Sequence, residues 1–295
     1  MQPSVSRRFF ISALALSSLG AVAALSGCGA DDAAKKEEPA APAADAVKDA
    51  SDGADAAAPQ ASDDNPLGLV IPGKLTVGSD CDYPPFIWME GEQPVGFEYD
   101  LLKAMCDEMG LELNFLPPQK FDTLVPSIVA GGKMDVAVSS ITVTDARMEE
   151  VDFTEAYCDS NQSIAVLKDS GYAGRDDLAD KVIGVQSGTT GEEWAKENMP
   201  DATITPFDDQ SSAFAALVAG KVDAVCQDLP ISQYMIANAY PECEIVEEIP
   251  TGEQYAMAVS KDNPALLSAL DEALATEVEN GTVDDLYEEY ISGKE

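Results

Sequence analysis

The chain has 295 residues and sets 54 acidic side chains against 17 basic ones, a formal charge of −37, which argues against recognition of nucleic acid or anionic headgroups through a basic patch. Histidine is absent, so Ser-His-Asp and Cys-His catalysis, the HExxH zinc site and the usual imidazole base are excluded together. The six cysteines (Cys28, Cys81, Cys106, Cys158, Cys226 and Cys243) include no CxxC pair, so no zinc knuckle or redox motif is supported and neither metal nor cofactor is expected.

Residues 1–27 read as a cleaved leader: Arg7 and Arg8 form a short basic region before the apolar run FFISALALSSLGAVAAL, which is shorter than the ~20 residues of a spanning helix with polar anchors. The run ends in LSGC (25–28), which resembles the bacterial lipobox, whose cysteine carries the lipid as the first mature residue; Cys28 is the expected lipidation site. Several acyl chains on one residue anchor stably where a single chain is marginal. SRRFF (6–10) also resembles the twin-arginine export motif, and a plain Sec leader can carry two arginines, so both routes stay open. Residues 28–64, built almost wholly of Ala, Asp, Pro, Lys, Glu, Gly and Ser, cannot bury enough apolar surface to offset their ordering entropy and are expected to form a disordered tether. With Cys28 consumed, five cysteines remain, and an odd number leaves at least one thiol free or paired between chains.

From residue 65 the texture is that of a folded α/β body. KLTVGS (74–79) reads as a strand. FEYDLLKAMCDEMG (97–110) places Leu101, Leu102, Met105 and Met109 on one helical face and closes on Gly110. LELNFL reads as a strand, FDTLVPSIVAGG as a helix ending on two glycines, and MDVAVSS (134–140) as a strand, an alternation that implies βαβ units and a mostly parallel sheet. The pattern then repeats: IVAGGKMDVAVSS (128–140) is echoed by LVAGKVDAVCQD (217–228), so two similar α/β lobes are expected. Ligands in such sheets bind beyond the carboxyl ends of strands, which draws attention to 139–144 and 227–228.

Three segments carry a resemblance to the bacterial extracellular solute-binding proteins of family 3, the polar amino-acid receptors of ABC importers: GFEYDLLKAMCDEM (96–109), SSITVTDARMEEVDFTEAY (139–157) and IGVQSGTTGEEWAKEN (183–198). It spans roughly residues 73–292, with Tyr99 a mild departure where an aliphatic residue or Thr is usual. It implies a periplasmic-binding-protein-like α/β fold of type II, two lobes joined by a two-strand hinge, with lobe 1 at 65–164 plus 256–295 and lobe 2 at 165–255. The chain is then expected to cross between lobes near 161–166 and 255–259, to close around ligand, and to be recognised closed by its importer.

The resemblance also implies roles. Arg147 matches the arginine that grips a ligand α-carboxylate, where a planar guanidinium forms paired charge-assisted bonds. It is one of only two arginines outside the leader. Thr142 adds a hydroxyl and Ser140 a backbone contact, while Asp228 matches the acid that binds the α-ammonium. Thr189 and Thr190 lie in a turn opening a helix, where exposed N–H groups favour an anion. Tyr83 and Phe97 match two rings sandwiching the ligand stem, and Asp80 a position that reads its side chain, tilting the ligand toward a polar or basic amino acid. Trp88 and Trp194 are read as structural. The alternative is a dehydratase of the same fold acting on a cyclic prephenate-like acid, for which Asp80 or Glu98 would serve as general acid. The binding reading makes the chain no enzyme: a monomer anchored by lipid to the outer face of the cell membrane, partnered by an amino acid and by ABC permease subunits, with no nucleic acid.

Overall fold

The computed structural model describes residues 60–292; the expected leader, Cys28 and nearly all of the tether lie outside the described residues. Two five-stranded sheets organise the body. In the first, Lys74–Gly78 lies between Glu112–Phe115 and Val136–Ala137, parallel to both, and the sheet continues antiparallel through Ala258–Val259 to Asp152–Phe153. In the second, Thr203–Phe207, Val182–Gln186 and Ala224–Asp228 run parallel, followed by the long antiparallel pair Cys158–Leu167 and Cys243–Tyr255. A small meander, Asp82–Tyr83, Ile87–Glu90 and Gln93–Val95, is attached to the first sheet's side of the molecule. Each large sheet thus has three parallel strands and an antiparallel edge, the two-lobe pattern that the repeated sequence grammar implied.

Local chemistry sets the elements. Helix Phe97–Met109 buries Leu101, Leu102, Met105 and Cys106 and stops at Gly110, whose φ of 67° lies in the left-handed region and lets Leu111 N–H reach the Cys106 carbonyl at 2.9 Å. Met109, expected on the buried face, is only half-buried; the helix turns Cys106 inward instead. Tyr99, where the resemblance expects a smaller side chain, packs on Phe115 with ring centroids 5.6 Å apart. At the other end of this helix Gly96 has φ 119°, and a Cβ there would come within 2.5 Å of the Phe86 carbonyl oxygen. The glycine of the GFE motif is therefore required sterically as well as conformationally.

Two expected elements come out differently. Only Val136–Ala137 of 134–140 pairs as a strand, because the chain turns away at Ser140, which sits at φ 48° with its N–H captured by the Glu98 carboxylate at 2.6 Å. The stretch 161–166, expected as a crossover, lies inside the second sheet, paired with Ala224–Asp228 on one side and Cys243–Tyr255 on the other. The same two long strands carry on past that sheet, where Cys158–Ser160 pairs with Glu253–Tyr255 after a register shift, and this continuation leads into the first lobe. The five cysteines among the described residues are all unpaired and buried, and burial pushes the Cys106 and Cys158 thiols up to about 12.

Gly96→Ala is expected to lower the free energy of unfolding by about 1–3 kcal/mol, the range for a forced backbone or steric outlier. A urea titration at unchanged m-value checks it.

Candidate functional site

The lobes meet directly along their facing edges. Asp82 in the meander accepts hydrogen bonds from the Ser211 N–H (2.9 Å) and hydroxyl (2.8 Å), at the start of helix Gln210–Val218. Lys120 pairs with Asp208 at 2.7 Å, and the Gln186 amide donates to Asp80 at 2.9 Å. Trp88, read as structural, lies 5.9 Å from Tyr234, centroid to centroid. Gly188 comes so close to the first lobe that a Cβ on it would stand 2.9 Å from Asp122 Cβ.

Arg147 belongs to the short helix Asp145–Glu150, capped by the Thr144 hydroxyl, which accepts from Arg147 N–H at 3.2 Å. Its guanidinium spans both lobes: NH1 donates to the Thr142 carbonyl at 2.7 Å and NH2 to the Gly188 carbonyl at 3.0 Å, while Phe121 supports it from 5.5 Å. Burial lowers its pKa, and Glu193, Asp228 and Glu253 act against that. Among the described residues it makes no salt bridge; the neighbouring acids Glu149, Glu150 and Asp152 leave it unpaired. The chain's other described arginine, Arg175, behaves differently, bonding Glu247 from Nε at 2.7 Å and stacking 4.9 Å over Trp194.

Asp228 closes the strand Ala224–Asp228 and is 3% exposed. It occupies the N-cap of helix Leu229–Asn238, yet its side chain makes no capping bond. The carboxylate instead accepts from Gln162 Nε2 at 2.5 Å and from the Tyr255 hydroxyl, with the Tyr83 phenol close by. Burial raises its pKa; the two phenols, the Gln162 amide and Arg147 act in the opposite sense. Gln162 Nε2 also donates to Glu253 at 2.8 Å and lies 3.2 Å from the Thr190 hydroxyl, which is itself 3.5 Å from the Thr142 hydroxyl.

Arg147, Thr142, Thr190, Asp228 and Tyr83 are therefore brought into one network. Thr189 lies beside it but spends its hydroxyl on the helix start: it accepts from Glu192 N–H at 3.1 Å and donates to the Gln186 carbonyl at 2.8 Å, while Glu192 accepts from Gly188 N–H at 2.7 Å, a reciprocal cap. Asp80 is also buried, accepting from the Ser139 hydroxyl at 2.5 Å and from Gln186, with its pKa raised by burial. Phe97 is fully buried between Phe86 and Tyr157, each ring centroid 5.9 Å away. Ser140 is held from beneath by Glu98, whose Oε1 accepts from the Ser140 N–H, the Ser140 hydroxyl at 2.9 Å and the Tyr157 hydroxyl. Glu98 Oε2 is buried without a partner, and burial pushes this carboxyl up to about 7. Sequence reasoning missed Gln162, Gln186, Glu253 and Tyr255. Tyr255 and Gln162 had a signal, since they stand at the two expected crossovers, and Gln186 lies within the 183–198 segment; Glu253 had none.

A buried acid whose pKa rises from about 4.5 to about 7 binds more protons folded than unfolded, so its contribution to stability is complete below pH 4.5 and lost as pH climbs through 7. Glu98→Gln is expected to remove that loss, on the order of 3 kcal/mol between pH 5 and 8; the difference between the wild-type and variant pH profiles of urea unfolding isolates it from other acids.

Comparison with known proteins places this arrangement. The sequence model of the bacterial extracellular solute-binding proteins, family 3, matches residues 75–293. The ABC transporter arginine-binding protein 1 of Escherichia coli is 31% identical over 225 residues, covering 74% of this chain and 90% of that protein. The L-cystine-binding protein TcyJ of Escherichia coli is 28% identical, covering 74% and 83%. Among solved structures, an ancestral amino acid-binding protein described as a precursor of cyclohexadienyl dehydratase is 35% identical with a TM-score of 0.69, covering 75% of this chain and 96% of its own.

Proposed function

The chain belongs to the bacterial extracellular solute-binding proteins, family 3, with that family's two-lobed type II fold, and on that footing we propose that it is the substrate-binding component of an ABC amino-acid importer, taking a polar or basic L-amino acid in the cleft between its lobes. The observation that carries the reading is the pairing of a cleft arginine, fixed by carbonyls from both lobes and bonded to no acid among the described residues, with a buried carboxylate that declines its capping role. An α-amino acid presents the complementary charges. Arg147 takes the α-carboxylate, aided by Thr142, Thr190 and the backbone at Thr189; Asp228 takes the α-ammonium with the Ser140 backbone. Tyr83 and Phe97 flank the stem, and Asp80 faces the side chain. The bonds made across the cleft by Arg147, Gln186 and Ser211 support closure by hinge motion about the paired strands, the closed form being what the permease subunits recognise. The leader, lipidation at Cys28 and the tether would hold a monomer at the outer face of the cell membrane; no helix among the described residues is long and apolar enough to cross one.

The dehydratase reading has one observation in its favour, the likeness to the precursor protein. Against it, the acids it would use are engaged: Glu98 Oε1 accepts three hydrogen bonds beneath Ser140, and Asp80 is bonded to Ser139 and Gln186. No catalytic residue is assigned.

A thermal-shift screen of the purified chain against the twenty amino acids, cystine and cyclic keto acids separates the two. An amino acid at 100 times its Kd adds about 2.7 kcal/mol to stability. Selective stabilisation by one or two amino acids, abolished by Arg147→Ala, is expected; a response only to a cyclic acid that is then consumed would establish the enzyme.

A further inference from the structure

Gln162 is completely buried, and its amide nitrogen has two hydrogens to give. Three acceptors surround it: Asp228 Oδ1 at 2.5 Å, Glu253 Oε2 at 2.8 Å and Thr190 Oγ1 at 3.2 Å. Sharing one nitrogen brings the two carboxylates within the ~4–6 Å over which like charges oppose each other's ionisation. Arg147 attracts both acids but spends its own hydrogen bonds on the Thr142 and Gly188 carbonyls. The cluster is thus one positive charge short. A general stabilising role for Glu253 would not require such company, since half-buried on an irregular stretch of a hinge strand it could have turned to solvent.

We propose that Glu253 is a second ammonium-binding carboxylate, that it and Asp228 hold one shared proton through the cluster when no cation is present, and that the α-ammonium of the bound amino acid replaces that proton. The inference rests on the amino-acid-binding reading above and deepens it by naming a residue that neither the motifs nor the comparisons identify. The exchange balances: one ammonium enters the cluster and one proton leaves to buffer. Burial, followed by the charge of Asp228, pushes Glu253 up to about 7, which puts the exchange near neutrality. The groups facing the pair are Arg147, the phenols of Tyr83 and Tyr255, and the Cys226 thiol; both phenols and the thiol are raised by burial, so none of them titrates between pH 5 and 8. Asp80 is reached only through Tyr83, and Glu98 bonds Ser140 and Tyr157 instead.

Titration calorimetry of the purified chain tests this with the amino acid selected in the thermal-shift screen, L-arginine first, in two buffers of different ionisation enthalpy. Wild-type protein is expected to release close to one proton per amino acid bound below pH 7, its affinity rising about tenfold per pH unit there and levelling off above pH 8. Glu253→Gln, an isosteric change, is expected to bind roughly tenfold more weakly at pH 8 and to lose both the proton release and the pH slope. No proton release by wild type, or a Glu253→Gln variant that keeps the wild-type slope and proton count, would overturn the proposal while leaving amino-acid binding intact. Failure of wild type to bind any of the twenty amino acids would overturn the underlying reading and the proposal with it.

Discussion

A carboxylate taken out of water must be answered by donors or by positive charge, and the position of Asp228 makes every surrounding element answer it. At 3% exposure it is bonded by a phenol from the hinge and an amide from the facing strand, and a phenol from the meander stands beside it. Those three groups come from both lobes and from the connection between them. The satisfaction of one buried charge therefore couples the orientation of the lobes to the chemistry of the cleft. Arg147 stands at the other pole, itself anchored to a carbonyl on each side. The two opposite charges thus face the boundary from different lobes.

Beneath this lies a support that does not touch the cleft directly. Glu98 opens the helix Phe97–Met109 and reaches under Ser140, holding that residue at a positive φ that its own side chain does not favour. The motif Gly-Phe-Glu acts as a unit: Gly96 permits the close approach to Phe86, Phe97 fills the space between Phe86 and Tyr157, and Glu98 bonds the strand end. Through Glu98 the unit reaches Ser140, just past the carboxyl end of the Val136–Ala137 strand. In the second lobe the reciprocal cap of Thr189 and Glu192 shapes the backbone at the turn that follows Val182–Gln186.

Arg147 was legible because arginine is scarce in this chain and closes a hydroxyl-rich run, and Gly110 because a glycine after an apolar helical face has one common structural meaning. The two-lobe architecture could be read from a sequence grammar that occurs twice. What could not be read has a common cause. Gln162 lies 66 residues from Asp228 and 91 from Glu253, and its importance arises only when three segments converge on one nitrogen. Glu253 stands among many other acids with nothing local to mark it. The short first-lobe strand was overestimated for a related reason: the apolar run continues through Val138, but the competing bond comes from a glutamate 42 residues earlier. Local pattern reports propensity, whereas buried polar groups are satisfied wherever the fold delivers a partner.

The five buried thiols bear on how such a chain reaches its folded form. None of them is joined to another, and burial suppresses the ionisation of each, so the described body is packed without a disulfide. Packing rather than covalent cross-linking therefore holds the described body together, and burial keeps its five thiols out of the thiolate form in which they would react.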